Sequence, residues 1–359
     1  MGKKKSINKD IPKEKKTYKA GKLDKEKYFE HKGRLDINVS WENYVNDIIN
    51  SEENTENGVI ADISKGNHTK NFTVINLQSK ERIRAQLHNK LPRNLSQQIC
   101  IGDKVKYVFN DGNYYITKRE IRENIISRIK GDNTRFSQFS KYEQVIACNI
   151  DYGVIVCSSK NPDFHSNFLD RYIILFQNGK VKPLIVISKS DLGKPDNNIL
   201  DWYTKSLGIK RIYCSNETGE GINELKEILY GKTVVVVGNS GVGKSSIINS
   251  INNKDITKTQ GTSKKRGEGK HTTTKTQMYQ WMDNSYIIDT PGIRSLELME
   301  IDKKLLKEYF SEFKEFETNC KYNDCNHILE DDCGVKIAVE KGIISKDRYN
   351  NYVKIHNKI

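Results

Sequence analysis

Eight residues, Gly238-Asn239-Ser240-Gly241-Val242-Gly243-Lys244-Ser245, stand between the apolar run TVVVV and the helical pattern SIINSI. They fit G-x-x-x-x-G-K-[ST] at every constrained position, in the strand–loop–helix setting that gives this spacing its meaning. The glycines let successive backbone N–H groups curl around an anion with no Cβ in the way, and the helix that follows adds its positive end. The Lys244 ammonium can then reach the β- and γ-phosphates of a nucleotide, and the Ser245 hydroxyl a Mg²⁺ ion, with Ser246 beside it. Such a loop demands a parallel sheet behind it.

The flanking sequence supplies that sheet. Beyond about Thr134, QVIACNIDYGVIVCS, PLIVIS and RIYCS are strand segments, and SNFLDRYIILFQN, NILDWYTKSLG and GINELKEILY carry helical periodicity. This alternation predicts a parallel sheet with helices on both faces. Downstream, Asp289-Thr290-Pro291-Gly292 follows the strand SYIID. A carboxylate ending a strand there can hold Mg²⁺ through water, and Gly292 can offer its N–H to a γ-phosphate and swing when that phosphate leaves. Alone, these four residues would be an ordinary turn.

Upstream, Ser188-Lys189-Ser190-Asp191 closes PLIVIS. Asp191 can accept from both N1–H and the N2 amine of guanine, which adenine cannot provide, with the Lys189 stem lying along the base. Ser215, ending RIYCS, belongs to the loop whose backbone meets the guanine oxygen. Ser188 stands where such motifs usually carry Asn, and gives one hydroxyl donor in place of an amide. In an ordinary P-loop GTPase the phosphate loop comes first and the base-reading motif last. Here SKSD and CSNETGEG precede the loop, so the domain is circularly permuted.

Between Gly58 and about Ile121 the pattern is different. GVIADI, NFTVINL, RIRAQL, KVKYVF and YYITKREI alternate polar and apolar residues, with turns at Ile101-Gly102-Asp103 and Asp111-Gly112-Asn113. Short strands so spaced predict a small closed barrel of the OB type. Lys104, Lys106, Lys118, Arg119 and Arg122 form either an RNA-facing surface on it or a merely solvated strand face. Residues 1–20 hold eight lysines against Asp10 and Glu14, a basic arm that either grips RNA phosphate or keeps the chain in solution. A short helix is expected over residues 35–50.

The whole chain has 359 residues and a net charge of +14, which favours a polyanionic partner. No apolar run reaches the ~18 residues of a membrane span, and the first residues lack the apolar core of a secretory signal. Neither a membrane protein nor a secreted one is expected.

The permuted order, with Asn149-Ile150-Asp151, Pro162-Asp163-Phe164 and Leu169-Asp170-Arg171-Tyr172, resembles the bacterial ribosome small subunit-dependent GTPase A family. The resemblance covers about residues 57–345 and leaves out the lysine-rich first fifty; Ser188 departs from the family's usual Asn or Thr. It implies an N-terminal OB barrel, a permuted GTPase and a C-terminal zinc domain, and a partner in the small ribosomal subunit and its rRNA during late maturation. Gly269-Lys270-His271-Thr272-Thr273-Thr274 resembles the family's switch region. Thr273 or its neighbour Thr272 is then expected to bind Mg²⁺ by side chain and γ-phosphate by backbone. Ile293 stands where many GTPases carry a water-orienting Gln, so the catalytic group must come from elsewhere. His271 is the nearest candidate, joining Lys244 and Thr273, although a histidine there can also simply pack a mobile loop.

Seven cysteines, an odd and unevenly spaced set, do not make a disulfide framework in a chain of this length. Cys100, Cys148, Cys157 and Cys214 sit among apolar neighbours as small core residues. Cys320, Cys325, His327 and Cys333 offer three thiolates and one imidazole within fourteen residues, which implies a closed, tetrahedral, structural Zn²⁺ site, one per chain. Redox cysteines are the competing reading, and no C-x-x-C pair supports it. The metal is expected to staple loops between the helices LLKEYFSEFKEF and VKIAVEKG.

The expectation is a multidomain chain. Residues 1–56 form a basic, partly disordered extension, 57–122 an OB-type β-barrel, 123–300 a central α/β circularly permuted P-loop GTPase domain, and 301–359 a helical zinc-binding domain. Its expected function is ribosome-stimulated, Mg²⁺-dependent hydrolysis of GTP to GDP by a cytoplasmic monomer. Two alternatives stand beside it: a nucleotide-gated rRNA-binding module with little turnover, and a permuted GTPase acting on the large subunit.

Overall fold

The computed structural model describes residues 55–65, 70–88, 99–110, 112–130, 142–195, 197–252, 276–289 and 303–359. The basic arm and the helix expected over 35–50 lie outside the described residues.

Five strands close into the barrel: β1 (Glu56–Lys65), β2 (Lys70–Asn76), β3 (Arg82–Leu87), β4 (Lys104–Asn110) and β5 (Asn113–Arg119). Their order is β1-β2-β3-β5-β4, with β4 returning to β1 and β3 running parallel to β5. This is the expected OB-type barrel. Ile60, Phe72, Val74, Ala85, Val105, Tyr107 and Ile116 fill its interior. Gly58 lets β1 bend across the barrel, since a Cβ there would lie 2.2 Å from Val74 Cγ1.

A two-stranded ribbon, β6 (Ile125–Lys130) with β7 (Tyr142–Cys148), joins the barrel to the next layer. The segment expected as one strand, QVIACNIDYGVIVCS, is two. The chain turns at Asn149, whose φ is 54°, before β8 (Tyr152–Ser158) begins. Asn149 also donates to Gly102 O at 2.9 Å and accepts from Glu123 N at 2.9 Å, tying the barrel's exit to the sheet's entry.

The sheet adds β9 (Lys182–Ser188), β10 (Arg211–Tyr213), β11 (Thr233–Gly238), β12 (Gln277–Met282) and β13 (Ser285–Asp289). Its order is β10-β9-β8-β11-β13-β12, parallel throughout except for antiparallel β12 at the edge. The central strands read as unbroken Val/Ile runs because both faces are covered. Helices α1 (Ser166–Asn178), α2 (Asn197–Lys205), α3 (Ile222–Leu229) and α4 (Lys244–Asn252) supply the cover. The chain winds outward from β8 through β9 to β10, then returns to β11 on the other side of β8. The topological switch point therefore falls between β8 and β11, where open α/β sheets bind ligands.

The C-terminal part is helical in a different way than expected. LLKEYFSEFKEF is not one helix: Lys303–Tyr309 and Ser311–Phe313 are 3₁₀ turns, followed by the short helix α5 (Lys314–Glu317). Phe310 leaves helical geometry, with φ −107° and ψ 71°, and its ring stacks on Phe313 at 5.2 Å while both meet Tyr352 edge-on. Burying both rings against one tyrosine outweighs the helical register. Helices α6 (Gly334–Glu340) and α7 (Lys346–Lys358) complete this part.

Candidate nucleotide and metal sites

Gly238 ends β11 level with Val156 of β8. A Cβ at Gly238 would lie 2.5 Å from Val156 O, and Gly241 and Gly243 have φ of 79° and 87°. All three glycines are therefore required by the backbone path. Asn239 to Val242 form the loop, and Lys244, Ser245 and Ser246 open α4. Lys244 Nζ donates to Gly238 O at 2.9 Å and Asn239 O at 2.5 Å, which sets the ammonium over the loop's mouth.

The Ser188–Asp191 segment, expected to read the base, packs against this loop directly. Ser188 ends β9, is 2 % exposed, and its hydroxyl lies 2.5 Å from Val242 O and 3.1 Å from Cys157 O. Lys189 is left-handed, with φ 55°, and its ammonium donates to Gly241 O at 2.9 Å and to Asn161 O. A non-glycine residue held in that region signals strain retained at a site. Asp191 is exposed, and its Oδ1 accepts from Ser215 Oγ at 2.6 Å; Ser215 Oγ in turn accepts from Glu217 N and Thr218 N at 3.2 Å. The chain Asp191–Ser215–backbone aims the carboxylate.

Asp289 ends β13, which runs parallel to β11, so its backbone leaves the sheet on the phosphate-loop side. His271, Thr272, Thr273 and Gly292 lie outside the described residues.

The second constellation is the C-terminal cluster. The ligand atoms of Cys320, Cys325, His327 and Cys333 all lie within 4.8 Å of one another. Cys320 Sγ is 3.9 Å from Cys333 Sγ and 3.6 Å from His327 Nδ1, and Nδ1 is 3.4 Å from Cys333 Sγ. A tetrahedron of ~2.3 Å zinc–sulfur bonds has sulfur–sulfur edges of about 3.8 Å, so the donors fit that ion. Nε2 faces Glu317 Oε1 at 3.4 Å, a carboxylate placed to fix the ring's tautomer. Burial pushes the Cys325 and Cys333 thiols up, and a cation among them reverses that cost. The acidic Glu330 side chain accepts from the N–H groups of Asn326, Ile328 and Leu329, holding the turn between ligands.

Arg119 and Arg122 do not lie on the exposed strand face expected of them. Both are 5 % exposed and sit inside, where Arg122 clasps Asp103 at 2.7 and 2.8 Å and Arg119 lies 3.8 Å from the same carboxylate. They neutralise a buried Asp and are not part of an exposed face. Lys104 pairs with Glu123 at 2.6 Å. Cys100, Cys148, Cys157 and Cys214 are buried, as expected of small core residues. Cys100, Cys148 and Asp103 also stand together, yet Asp103 is already held by the arginines.

The sheet order, with β8, β9 and β10 all preceding the phosphate loop's β11 in the chain, defines a circularly permuted P-loop GTPase fold. The RsgA GTPase family model matches residues 120–299. The chain belongs to that family. It is 34 % identical over 300 residues to the small ribosomal subunit biogenesis GTPase RsgA of Thermotoga neapolitana, covering 81 % of this chain and 94 % of that relative. The protein of the same description from Caldanaerobacter subterraneus is 38 % identical over 213 residues, 59 % of this chain and 72 % of its own. Among solved structures, YjeQ from Thermotoga maritima matches with a TM-score of 0.64 and 30 % identity, over 85 % of this chain and 98 % of that one. YloQ, described as a circularly permuted GTPase, shares the fold at a TM-score of 0.62 and 24 % identity, over 86 % and 96 %. Among the described residues, no helix is long and apolar enough to cross a membrane.

Proposed function

We propose that this protein hydrolyses GTP to GDP and phosphate while bound to the small ribosomal subunit, and that the cycle serves late maturation of that subunit. One observation carries the reading: Ser188 and Lys189 of the base-reading segment bond to Val242 and Gly241 of the phosphate loop, joining guanine recognition to phosphate recognition. The names of the relatives support the ribosomal partner, and the charge of +14 suits rRNA phosphate.

In this reading Asp191 reads the base, the N–H groups of Gly238 to Ser246 cradle the phosphates, and Lys244 neutralises charge on the β- and γ-oxygens. Ser245 and Thr273 would hold Mg²⁺, with Asp289 behind it, and the ion would supply positive charge to the phosphate oxygens. Thr272, Thr273 and Gly292 act as γ-phosphate sensors, and His271 orients the attacking water. Cys320, Cys325, His327 and Cys333 hold one structural Zn²⁺. The protein works as a monomer in the cytoplasm.

Phosphate release with and without purified small subunits tests the proposal. Strong stimulation is expected. Equal rates would favour a nucleotide-gated rRNA-binding module, and stimulation by large subunits alone would move the site of action.

A further inference from the structure

The cysteine/histidine module and the phosphate loop are joined by two sets of hydrogen bonds with a short stretch of backbone, Pro162 to Ser166, between them. On one side, Lys189 spans Gly241 O of the phosphate loop and Asn161 O, and Ser158 Oγ donates to Pro162 O at 2.6 Å. The Asn161–Pro162 turn leads within four residues to Ser166, the first residue of α1.

On the other side, α7 holds the metal-ligand turn. Tyr349 Oη donates to His327 O at 2.7 Å, and Tyr352 Oη to Asn326 O at 2.6 Å. Between the two lies a charged knot built on a fully buried ion pair. Asp170 of α1 and Arg348 of α7 are both 0 % exposed and form an ion pair. Tyr203 Oη also donates to Asp170 Oδ1 at 2.6 Å, and Arg348 Nε donates to Glu312 Oε1 at 2.7 Å. Asn351, 3 % exposed, is the bridge: its amide donates to Asp170 Oδ2 at 2.6 Å and to Ser166 Oγ at 3.0 Å.

A simple docking contact between two modules would be served by apolar packing, which tolerates small shifts. A buried ion pair with its lone pairs satisfied does not, because each displaced donor leaves a desolvated charge. Such a knot moves as a unit or stays in place.

We propose that Asn351 and Arg348 make the C-terminal module responsive to the nucleotide: through Ser166 and Asp170 they fasten α7, and the Asn326–His327 turn it holds, to the segment that braces Lys189 and Gly241. This rests on the reading of Gly238–Ser245 as the nucleotide site. Asn351 is then a positioning residue for the phosphate loop, and occupancy of that loop stiffens a surface at the far end of the same helix pair. Coupling of this kind is reciprocal, so whatever nucleotide does to the module, the module does to nucleotide affinity.

The test is hydrogen exchange on the full chain, free and saturated with GDP, combined with fluorescent-GDP titration. In the wild type, GDP is expected to slow exchange over residues 320–333 and 346–358. In Asn351→Ala, and in the milder Ser166→Ala, that distant protection should disappear and GDP affinity should fall about three- to tenfold, with protection at 238–246 retained. Ser166 is only partly buried, so its variant keeps the test valid should Asn351→Ala fold poorly. GDP that binds and protects 238–246 while leaving 320–333 unchanged in the wild type overturns the coupling and spares the nucleotide site. Variants with undiminished distant protection overturn it too. A wild type that binds no GDP overturns both readings at once.

Discussion

The Ser188 hydroxyl lies 2.5 Å from Val242 O and 3.1 Å from Cys157 O, two carbonyls that face one proton. The shorter contact is to the phosphate loop, so the serine performs the bracing that an amide would otherwise share between loops. Ser188→Ala leaves a buried carbonyl without its donor, which costs about 1–3 kcal/mol. Guanine-nucleotide affinity should drop about tenfold, read by fluorescent-GDP titration. Unchanged affinity would mean that the loop is braced by Lys189 alone.

Asp191 offers an acceptor held by Ser215 at 2.6 Å. In Asp191→Asn an amide donor faces guanine's N2–H, and xanthine, with a carbonyl there, becomes the better match. The ratio of GDP to xanthosine-diphosphate affinity should shift by about 10²-fold or more toward xanthosine. Competition titration measures it, and a variant that retains full guanosine preference removes Asp191 from the role.

His271→Ala should slow subunit-stimulated hydrolysis by about 10²–10⁴-fold while GTP affinity barely moves. Single-turnover phosphate release with small subunits in excess separates the two. A normal stimulated rate would assign water orientation to another residue or to the ribosome.

Metal analysis of protein purified without chelator should return one zinc per chain, and Cys325→Ser should lose most of it. The same variant should weaken subunit binding more than GTP binding, because the cluster lies on the C-terminal module and not in the phosphate loop. Equal losses in both would show that the module supports the whole fold.

Glu330 supplies a prediction with a definite sign. Burial alone would raise its carboxyl, but backbone N–H groups from Asn326 to Glu330 hold it down at about 2. The stabilisation is complete above the unfolded value of 4.5 and is lost as pH falls toward 2. Glu330→Gln should therefore lower the melting midpoint at pH 7, and the gap from wild type should close between about pH 4.5 and pH 2. A gap independent of pH would refute the carboxylate's part in it.

Local chemistry makes the phosphate loop and the Cys/His cluster readable from residue order: positive-φ glycines and four donors within fourteen residues carry their own geometry. Arg119 and Arg122 read as surface charges in the sequence because their burial depends on Asp103, which the barrel alone brings near them. The Asp170–Arg348 pair was invisible for a related reason, as its partners are 178 residues apart. The available sign was weak: a charge at position 170 among Leu169, Tyr172, Ile173 and Ile174, all of them buried. The 3₁₀ turns of Lys303–Phe313 were missed because helical spacing of Leu306, Phe310 and Phe313 satisfies either geometry until Tyr352 is in place.

The β12 strand ends the sheet, and Arg82 of β3 donates to its Met278 carbonyl at 2.6 Å. An uncovered sheet edge is a template on which another copy can add a strand and seed aggregates. Arg82 places a charged, planar donor on that template, and the barrel brings it there. The N-terminal barrel thus sets a fixed charge against the last strand pair of a domain whose sequence is completed nearly two hundred residues later.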